Sequence, residues 1–484
     1  MAMPYYSKQA GDSRPDAQCV PKKRRDDVFD VFETWDAVRP RNAELRKYYT
    51  QHNELVRITS ENEVDDVTVE EVVGWAKDAV DSLAMRSILD GFVFEGEEDK
   101  EFNKLVRANA LDSVLYPQSC VSALTYGVGW FTVMRGRPWQ PAAFVRCFSG
   151  EQASGIWDKD ECRLKCGAVL NDVDRDGRAR KYTFFWPDEV IVFERHGEVW
   201  THESMPSDMG IPLMVPMVFE PDADRPLGHS RITPEIMRTI DRAMRQLKNL
   251  DVGCDSYVWP QRWMMGVERN LFEEKDDDGN VIKVNKTRRE VYSGKILAMT
   301  RDVDGNVPQV GEFSQADVSP IISAYEQAAQ QISGATHVPV NELGVLSSNY
   351  TSSEALQAST KALCMDVERM NRRNARTLEQ VALMMMAIAE NKRIDELTDA
   401  QRSVMANFRD PSMPTAAAMA DANMKIASMD ETYKGTRAFY RHCGWSEAEI
   451  DRFFAERRQQ GAIASLNQIA NAMKEGEKTG EVES

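Results

Sequence analysis

Thr233-Pro234-Glu235-Ile236-Met237-Arg238-Thr239-Ile240-Asp241-Arg242-Ala243-Met244-Arg245-Gln246-Leu247-Lys248-Asn249-Leu250 is the stretch on which the reading of this chain turns. Thr233 offers a capping hydroxyl, Pro234 takes the first helical position and Glu235 puts an acid in the first turn, so a helix starts here. Ile236, Ile240, Met244, Leu247 and Leu250 form one apolar stripe. At about 100° per residue, Arg238, Arg242, Arg245 and Lys248 fall roughly half a turn away. One side packs against protein and the other presents cations, which suits a helix lining a polar channel and equally an ordinary helix with a solvated basic face.

Downstream, the chain from Trp259 to Phe313 turns strand-like. Val281-Ile282-Lys283-Val284 and Ile296-Leu297-Ala298-Met299 are flanked by Asp278-Gly279-Asn280 and Asp304-Gly305-Asn306, whose Asp-Gly pairs tolerate the positive φ of tight hairpins. Ser319-Pro320 then opens a second helix carrying Ile321, Ile322, Tyr325, Ala329 and Ile332, expected to end at Gly334. A small β-rich insert is thus expected at the end of a helical pair. Thr351 and Glu354 form a capping-box pair, and a helical pattern continues to Asn391, roughly 60 Å of straight helix at about 1.5 Å per residue.

Towards the N-terminus, residues 26–115 read as helices, with stripes through Val28, Phe29, Phe32 and Trp35 and through Val69, Val72, Val73, Ala76 and Val80. After Pro117 the texture changes. Runs such as Trp130–Met134, Lys181–Trp186 and Val190–Phe193, separated by Gly, Asp and Pro, predict an antiparallel sheet. The fold class is therefore α+β. Residues 1–25, including Pro21-Lys22-Lys23-Arg24-Arg25, read as a flexible, solvated arm rather than a targeting signal. Residues 396–484 read as short helices starting at Thr398, at Pro414 and at the Ser446/Glu449 capping box, with a disordered charged tail from Lys474.

A chain of 484 residues with 42% hydrophobic residues exceeds the size of a single compact domain. Its 60 Lys+Arg against 77 Asp+Glu give a net charge of −17, which disfavours a sequence-specific DNA binder that embraces phosphates with a broad basic face. Eight scattered cysteines imply free thiols in a reducing compartment. With no signal core and no apolar run of about 18 residues, the chain reads as soluble and cytoplasmic, with no membrane partner.

Catalytic and metal motifs are weak. Gly294-Lys295-Ile296 lacks the upstream glycine and following Ser/Thr of a phosphate-binding loop. Asp172-Val173-Asp174-Arg175-Asp176-Gly177 copies half of a calcium loop, but its twelfth position is Thr183, so a hairpin turn is the better reading. Cys162 and Cys166, with Cys147, lack a second ligand pair for zinc and read as buried structural thiols. The six histidines form no triad or zincin pattern, and His337 reads as a turn residue. Neither cofactor nor metal nor catalytic residue is expected, so the chain reads as a non-enzyme.

The order helix, β-rich insert, helix, loop, long helix resembles the portal proteins of tailed bacteriophages of the long non-contractile-tailed, siphovirus type. The likeness is carried by Pro226-Leu227-Gly228-His229-Ser230-Arg231-Ile232, by Ile332-Ser333-Gly334-Ala335-Thr336-His337-Val338-Pro339, and by Leu343-Gly344 followed by Asn349-Tyr350-Thr351-Ser352-Ser353-Glu354-Ala355. The resemblance implies a portal-like fold: a helix-rich wing with an antiparallel sheet over 26–232, stem helices at 233–258 and 317–335, a clip over 259–316, a tunnel loop and long wing helix over 336–395, and a helical crown over 396–484. It further implies a homo-oligomeric ring of about twelve subunits at one capsid vertex of the virion, assembled in the host cytoplasm. Its partners would be terminase, then the head-to-tail adaptor, capsid and scaffolding proteins, and double-stranded DNA threaded without sequence specificity. In that ring Arg238, Arg242, Arg245 and Lys248 would form a sparse cationic girdle, while Asn349, Tyr350 and Thr351 of the tunnel loop would touch the duplex sterically. Two other readings compete: a capsid or neck protein that does not conduct DNA, and a DNA-processing enzyme.

Overall fold

The computed structural model of the chain describes residues 13–52, 71–95, 100–258, 262–265, 273–275, 281–284, 309–312, 317–345, 353–412, 416–445, 449–450 and 452–460. They fall into two units, residues 1–408 and 409–484.

Helix α1 (Arg25–Tyr49) turns Val28, Val31, Phe32 and Trp35 inward at three- and four-residue spacing. Phe29, expected in that stripe, lies about 100° off it and is 64% exposed. The buried stripe meets a five-stranded antiparallel meander in sequence order, β4 (Ala153–Asp158), β5 (Arg163–Val173), β6 (Ala179–Phe185), β7 (Glu189–His196) and β8 (Val199–Pro206). Aromatic rings fill the layer between them: Phe32 stands edge-on to Tyr182 at 5.2 Å and to Phe184 at 5.7 Å, and Trp35 edge-on to Tyr182 at 6.0 Å.

The expected flexible arm does not survive from residue 13 onward. Val20 is 4% exposed in this aromatic core, Arg14 pairs with Asp36, and Ser13 Oγ donates to the carbonyl of Ala179 at 3.3 Å. Burial of Val20 outweighs the polar composition of its neighbours. Residues 1–12 lie outside the described residues. The basic run has a fixed target: Lys23 Nζ lies 2.7 Å and Arg24 Nε 2.8 Å from Glu189 Oε1, and Ser204 Oγ donates to Glu189 Oε2 at 2.9 Å. Burial opposes ionisation of Glu189, but these donors win and bring its carboxyl down to about 2. A carboxyl depressed from its usual 4.5 stabilises the fold above that pH and loses its contribution as pH falls towards 2. In urea titrations, Glu189→Gln should therefore lower stability at pH 7 and flatten its decline between pH 4.5 and 2; an unaltered acid limb would contradict the pairing.

A second, larger core lies under α2 (Trp75–Arg86), α3 (Lys100–Ala108), α4 (Tyr116–Tyr126) and a three-stranded sheet ordered β3 (Ala143–Ser149), β2 (Val128–Arg135), β9 (Met214–Val218). Pro117 sits in the first turn of α4, where a missing N–H costs nothing, so the helix runs past it and the sheet begins only at Val128. Two short strands that no periodicity announces, β1 (Leu89–Val93) and β14 (Met405–Phe408), pair antiparallel. They interrupt segments expected to be wholly helical, because four or five residues are too few to display a period.

Helix α5 (Pro234–Val258) and helix α6 (Ser319–Thr336) lie antiparallel: a Cβ at Gly253 would meet Val318 Cγ1 at 3.1 Å near one end, and Arg242 bonds Gln331 near the other. Beyond Gly253, β10 (Arg262–Met265) pairs with β13 (Gln309–Glu312), and β11 (Glu273–Lys275) pairs with β12 (Val281–Val284). Residues 296–299, 278–280 and 304–306 lie outside the described residues. α6 passes through Gly334 and stops at Thr336; His337, at φ 56°, is the left-handed cap instead. Helix α7 (Ser353–Glu390) is the expected long helix.

Thr398 caps α8 (Asp399–Arg402) in a reciprocal box with Gln401. In the second unit α9 (Ala416–Met429) is followed by α10 (Arg437–His442), where Tyr440 packs on Trp445 at 5.2 Å and on Phe453 at 4.8 Å. The expected starts at Pro414 and Ser446 and the tail from Lys474 lie outside the described residues.

Candidate functional site

The cationic face of α5 is heterogeneous. Ile236, Ile240, Ala243 and Met244 are each at most 1% exposed, so the apolar stripe is seated in the large core. Arg238 is exposed. Arg242 is half-buried and donates to Gln331 Oε1 on α6. Arg245 is half-buried near Asp241, whose carboxyl burial holds above its usual range against the hydrogen bond from Tyr48 and the Arg245 charge. Tyr48 Oη donates to both Asp241 oxygens at 2.9 and 3.0 Å, tying α1 to α5. Lys248 Nζ lies 3.3 Å from Glu71 Oε1 and so already has a counter-charge within the chain. Asn349, Tyr350 and Thr351 lie outside the described residues.

What the spacing argument missed is the joint beneath that face. Arg231 is 9% exposed; its Nε donates to the carbonyl of Ala79 on α2 at 2.7 Å, and its Nη2 to the carbonyl of Thr336 at the end of α6. Thr336 Oγ1 in turn donates to Ile332 at 2.7 Å, and Val338 N donates back to Thr336 Oγ1 at 3.3 Å. Two of the segments that carry the family likeness, 226–232 and 332–339, thus form one locked corner where both helices of the pair are rooted. Gly228 permits it: at φ 81° a Cβ there would lie 2.4 Å from Phe219 O and 2.5 Å from Gly127 O. A buried arginine between α2 and the end of α6 could have been suspected only from its place inside that segment.

Past the corner, His337 Nδ1 lies 2.8 Å from Asp366 Oδ2 on α7, so its role in shaping a turn goes together with a polar contact. Trp75 Nε1 donates to Leu343 O at 3.0 Å, Arg86 pairs with Glu342 at 2.7 Å, and Gly344 follows at φ 80°. The point at which the chain leaves towards residues 346–352 is therefore fixed by side chains of α2. α7 is tied down by a buried polar set: Ser87 Oγ donates to Asn371 Oδ1, and Asn374 Nδ2 donates to Tyr116 Oη at 3.1 Å. Burial around the same cluster pushes the Cys120 thiol up to about 12.

The remaining motifs settle as structure. Asp174 Oδ1 accepts from Asp176 N and Arg178 N at 3.0 and 2.8 Å in a turn closed by Gly177 at φ 78°, a hairpin tip joining β5 and β6. Cys166 is buried, but Cys162 is exposed in a left-handed turn at φ 49°, so the expectation that both are buried thiols fails at Cys162: it sits on the connection, not on the sheet. Among the described residues no cluster of His, Cys, Asp and Glu is arranged to hold a metal ion, and no helix is long and apolar enough to cross a membrane.

An α+β chain whose antiparallel helix pair carries its own β module, rooted beside a long helix, is thus defined by geometry. A family model described as phage portal protein, SPP1 Gp6-like, matches residues 30–461. The portal protein of Mycobacterium phage D29 is 27% identical over 422 residues, covering 84% of this chain and 82% of that protein. The portal protein of Mycobacterium phage L5 is 27% identical over 413 residues, covering 83% and 81%. Among solved structures, a chain from the neck of an empty GTA particle has 14% identity and a TM-score of 0.45 over 80% of this chain and 88% of its own. A chain from the virion of a native gene transfer agent (GTA) particle has 12% identity and a TM-score of 0.43 over 80% and 88%. The chain belongs to the phage portal protein family, whose members are structural components of the virion at the capsid vertex.

Proposed function

We propose that copies of this chain close into a ring of about twelve that threads double-stranded DNA during packaging and ejection. Residues 26–232 serve as wing, α5 and α6 as stem, the β module between them as clip, the segment from Gly344 to Ser353 as tunnel loop, and residues 396–484 as crown. The clip docks terminase and later the head-to-tail adaptor, and the crown and wing meet capsid and scaffolding proteins. Assembly takes place in the host cytoplasm. The reading assigns the chain no chemical step and no cofactor.

The observation that carries the reading is the antiparallel α5/α6 pair, apolar on its core side, with Arg238, Arg242, Arg245 and Lys248 all contributed by α5. DNA presents one phosphate charge per about 1.7 Å of axis, so a densely basic lumen would hold it through counterion release. Here the net charge is −17 per chain, Lys248 is already paired with Glu71, and Arg242 is engaged by Gln331. A thin cationic girdle in an otherwise acidic ring centres the duplex and lets it slide.

Negative-stain images of the purified protein should show rings with an axial hole wide enough for a duplex; a stable monomer, or a closed assembly with no hole, would overturn the proposal. Replacing Arg238, Arg242, Arg245 and Lys248 by Gln should change DNA retention by at least about tenfold while rings persist. Since Lys248→Gln also leaves Glu71 unpaired, the pair Arg238→Gln and Arg245→Gln is the cleaner version, and unchanged DNA handling in it removes these residues from the girdle.

A further inference from the structure

Two helical faces on this chain match each other in spacing and oppose each other in charge. On α1, Asp26, Phe29, Asp30 and Glu33 recur at i, i+3, i+4 and i+7 and all are exposed, Phe29 at 64%. The three carboxyl groups make no hydrogen bond or ion pair among the described residues, whereas Asp27, on the inner side, is held by Trp186 and Lys165. On α7, Arg369, Arg372, Arg373 and Arg376 recur at the same i, i+3, i+4 and i+7 spacing. Arg369, Arg372 and Arg376 are exposed; the intramolecular acids within reach of the stripe are Glu220 and Glu379, so cations outnumber them. Each stripe is about 10 Å long at 1.5 Å per residue.

Beside the arginine stripe lies a groove of about 640 Å³, lined by Arg373, Arg376 and Leu383 of α7 and by Pro216, Val218 and Pro221 among others. It offers an apolar seat for an aromatic ring, next to cations. Other walls of the groove, Met214, Val215 and Met384, belong to the large core, whereas α1 packs on the small aromatic core through Val28 and Phe32. The acidic stripe and the groove are thus separate surfaces of one chain. Complementary patches on separate surfaces make a heterologous contact, which propagates from copy to copy and closes when the angle allows.

We infer that α1 of one copy docks on α7 of the next, with Phe29 in the groove and Asp26, Asp30 and Glu33 facing the arginines. This rests on the ring reading above and names its interface. An isolated exposed ion pair is worth little in water, but several around a buried aromatic anchor set register and partner choice.

The test is charge reversal at exposed positions. Full-length chains with Asp26→Lys, Asp30→Lys and Glu33→Lys, or with Arg369→Glu, Arg372→Glu and Arg376→Glu, should sediment as monomers with wild-type circular dichroism. Combining all six in one chain restores complementarity and should restore rings. An equimolar mixture of the two triple variants offers a complementary contact at every junction of an alternating assembly, one native and one reversed, and should also rebuild rings. Phe29→Asp should lose rings as well. Rings surviving in either triple variant, or failing to return in the sixfold variant, would overturn the interface while leaving the ring reading standing; so would an arginine variant that keeps its rings and loses only DNA retention. A wild-type chain that never closes defeats the ring reading itself.

Discussion

Arg231→Met should cost about 3 kcal/mol of unfolding free energy in urea titrations, and Arg231→Lys should recover less than half of it. The guanidinium is buried and its two donors span a gap between Ala79 O and Thr336 O, so removing it withdraws a charged donor from both carbonyls, and Thr336 O lies at the end of α6, where no further helical N–H follows it. Hydrogen bonds from a charged donor contribute about 1.5 to 3 kcal/mol each. Burial pulls the proton affinity of Arg231 down, with Asp366 and Glu220 pulling it back up. The neutral Met avoids that desolvation cost, which is why the expected loss lies at the low end of the sum. A lysine offers one compact ammonium and cannot serve both carbonyls. A loss below about 1 kcal/mol would show that the corner is held by packing alone.

Trp35→Ala should be the more damaging of the two, at about 4 kcal/mol. Trp35 is 2% exposed, packs on Phe32 and Tyr182, and donates from Nε1 to Glu151 O at 3.0 Å. Its loss opens a cavity and orphans a carbonyl where α1 meets the meander. Trp35→Phe should keep most of the packing, lose only the hydrogen bond and cost about 1 to 2 kcal/mol. Equal losses for the two variants, read by urea titration followed through tryptophan fluorescence and far-ultraviolet dichroism, would place the hydrogen bond above the cavity.

Long, strongly patterned elements were legible from residues alone. Thr233-Pro234-Glu235 and Ser319-Pro320 carry start signals, and the stripe from Ile236 to Met244 reports its own burial. Contacts between distant segments were not. Val20 and Ser13 belong to a composition that reads as a loose arm, and only the facing sheet gives them a partner. β1 and β14 are separated by more than three hundred residues, and each strand alone is too short to announce itself. At the candidate site, sequence periodicity placed four cations on one helix face but could not show that Lys248 answers Glu71 across space. Arg231 lies within 226–232, yet its role depends on Ala79 and Thr336, which no spacing rule connects.

The five-stranded meander bears on the order in which the molecule is made. Each of its strands pairs with the next one along, and its aromatic layer is completed by α1 and Val20, so everything that core needs has left the ribosome by Pro206. The three-stranded sheet must wait for β9, and its covering helix, α7, is translated some 140 residues later still. Local pairings close fast and distant ones slowly, so the nascent chain holds a finished N-terminal module while its larger hydrophobic surface is still uncovered. That interval, rather than any weakness of the mature fold, is when an unassembled copy is most exposed to aggregation.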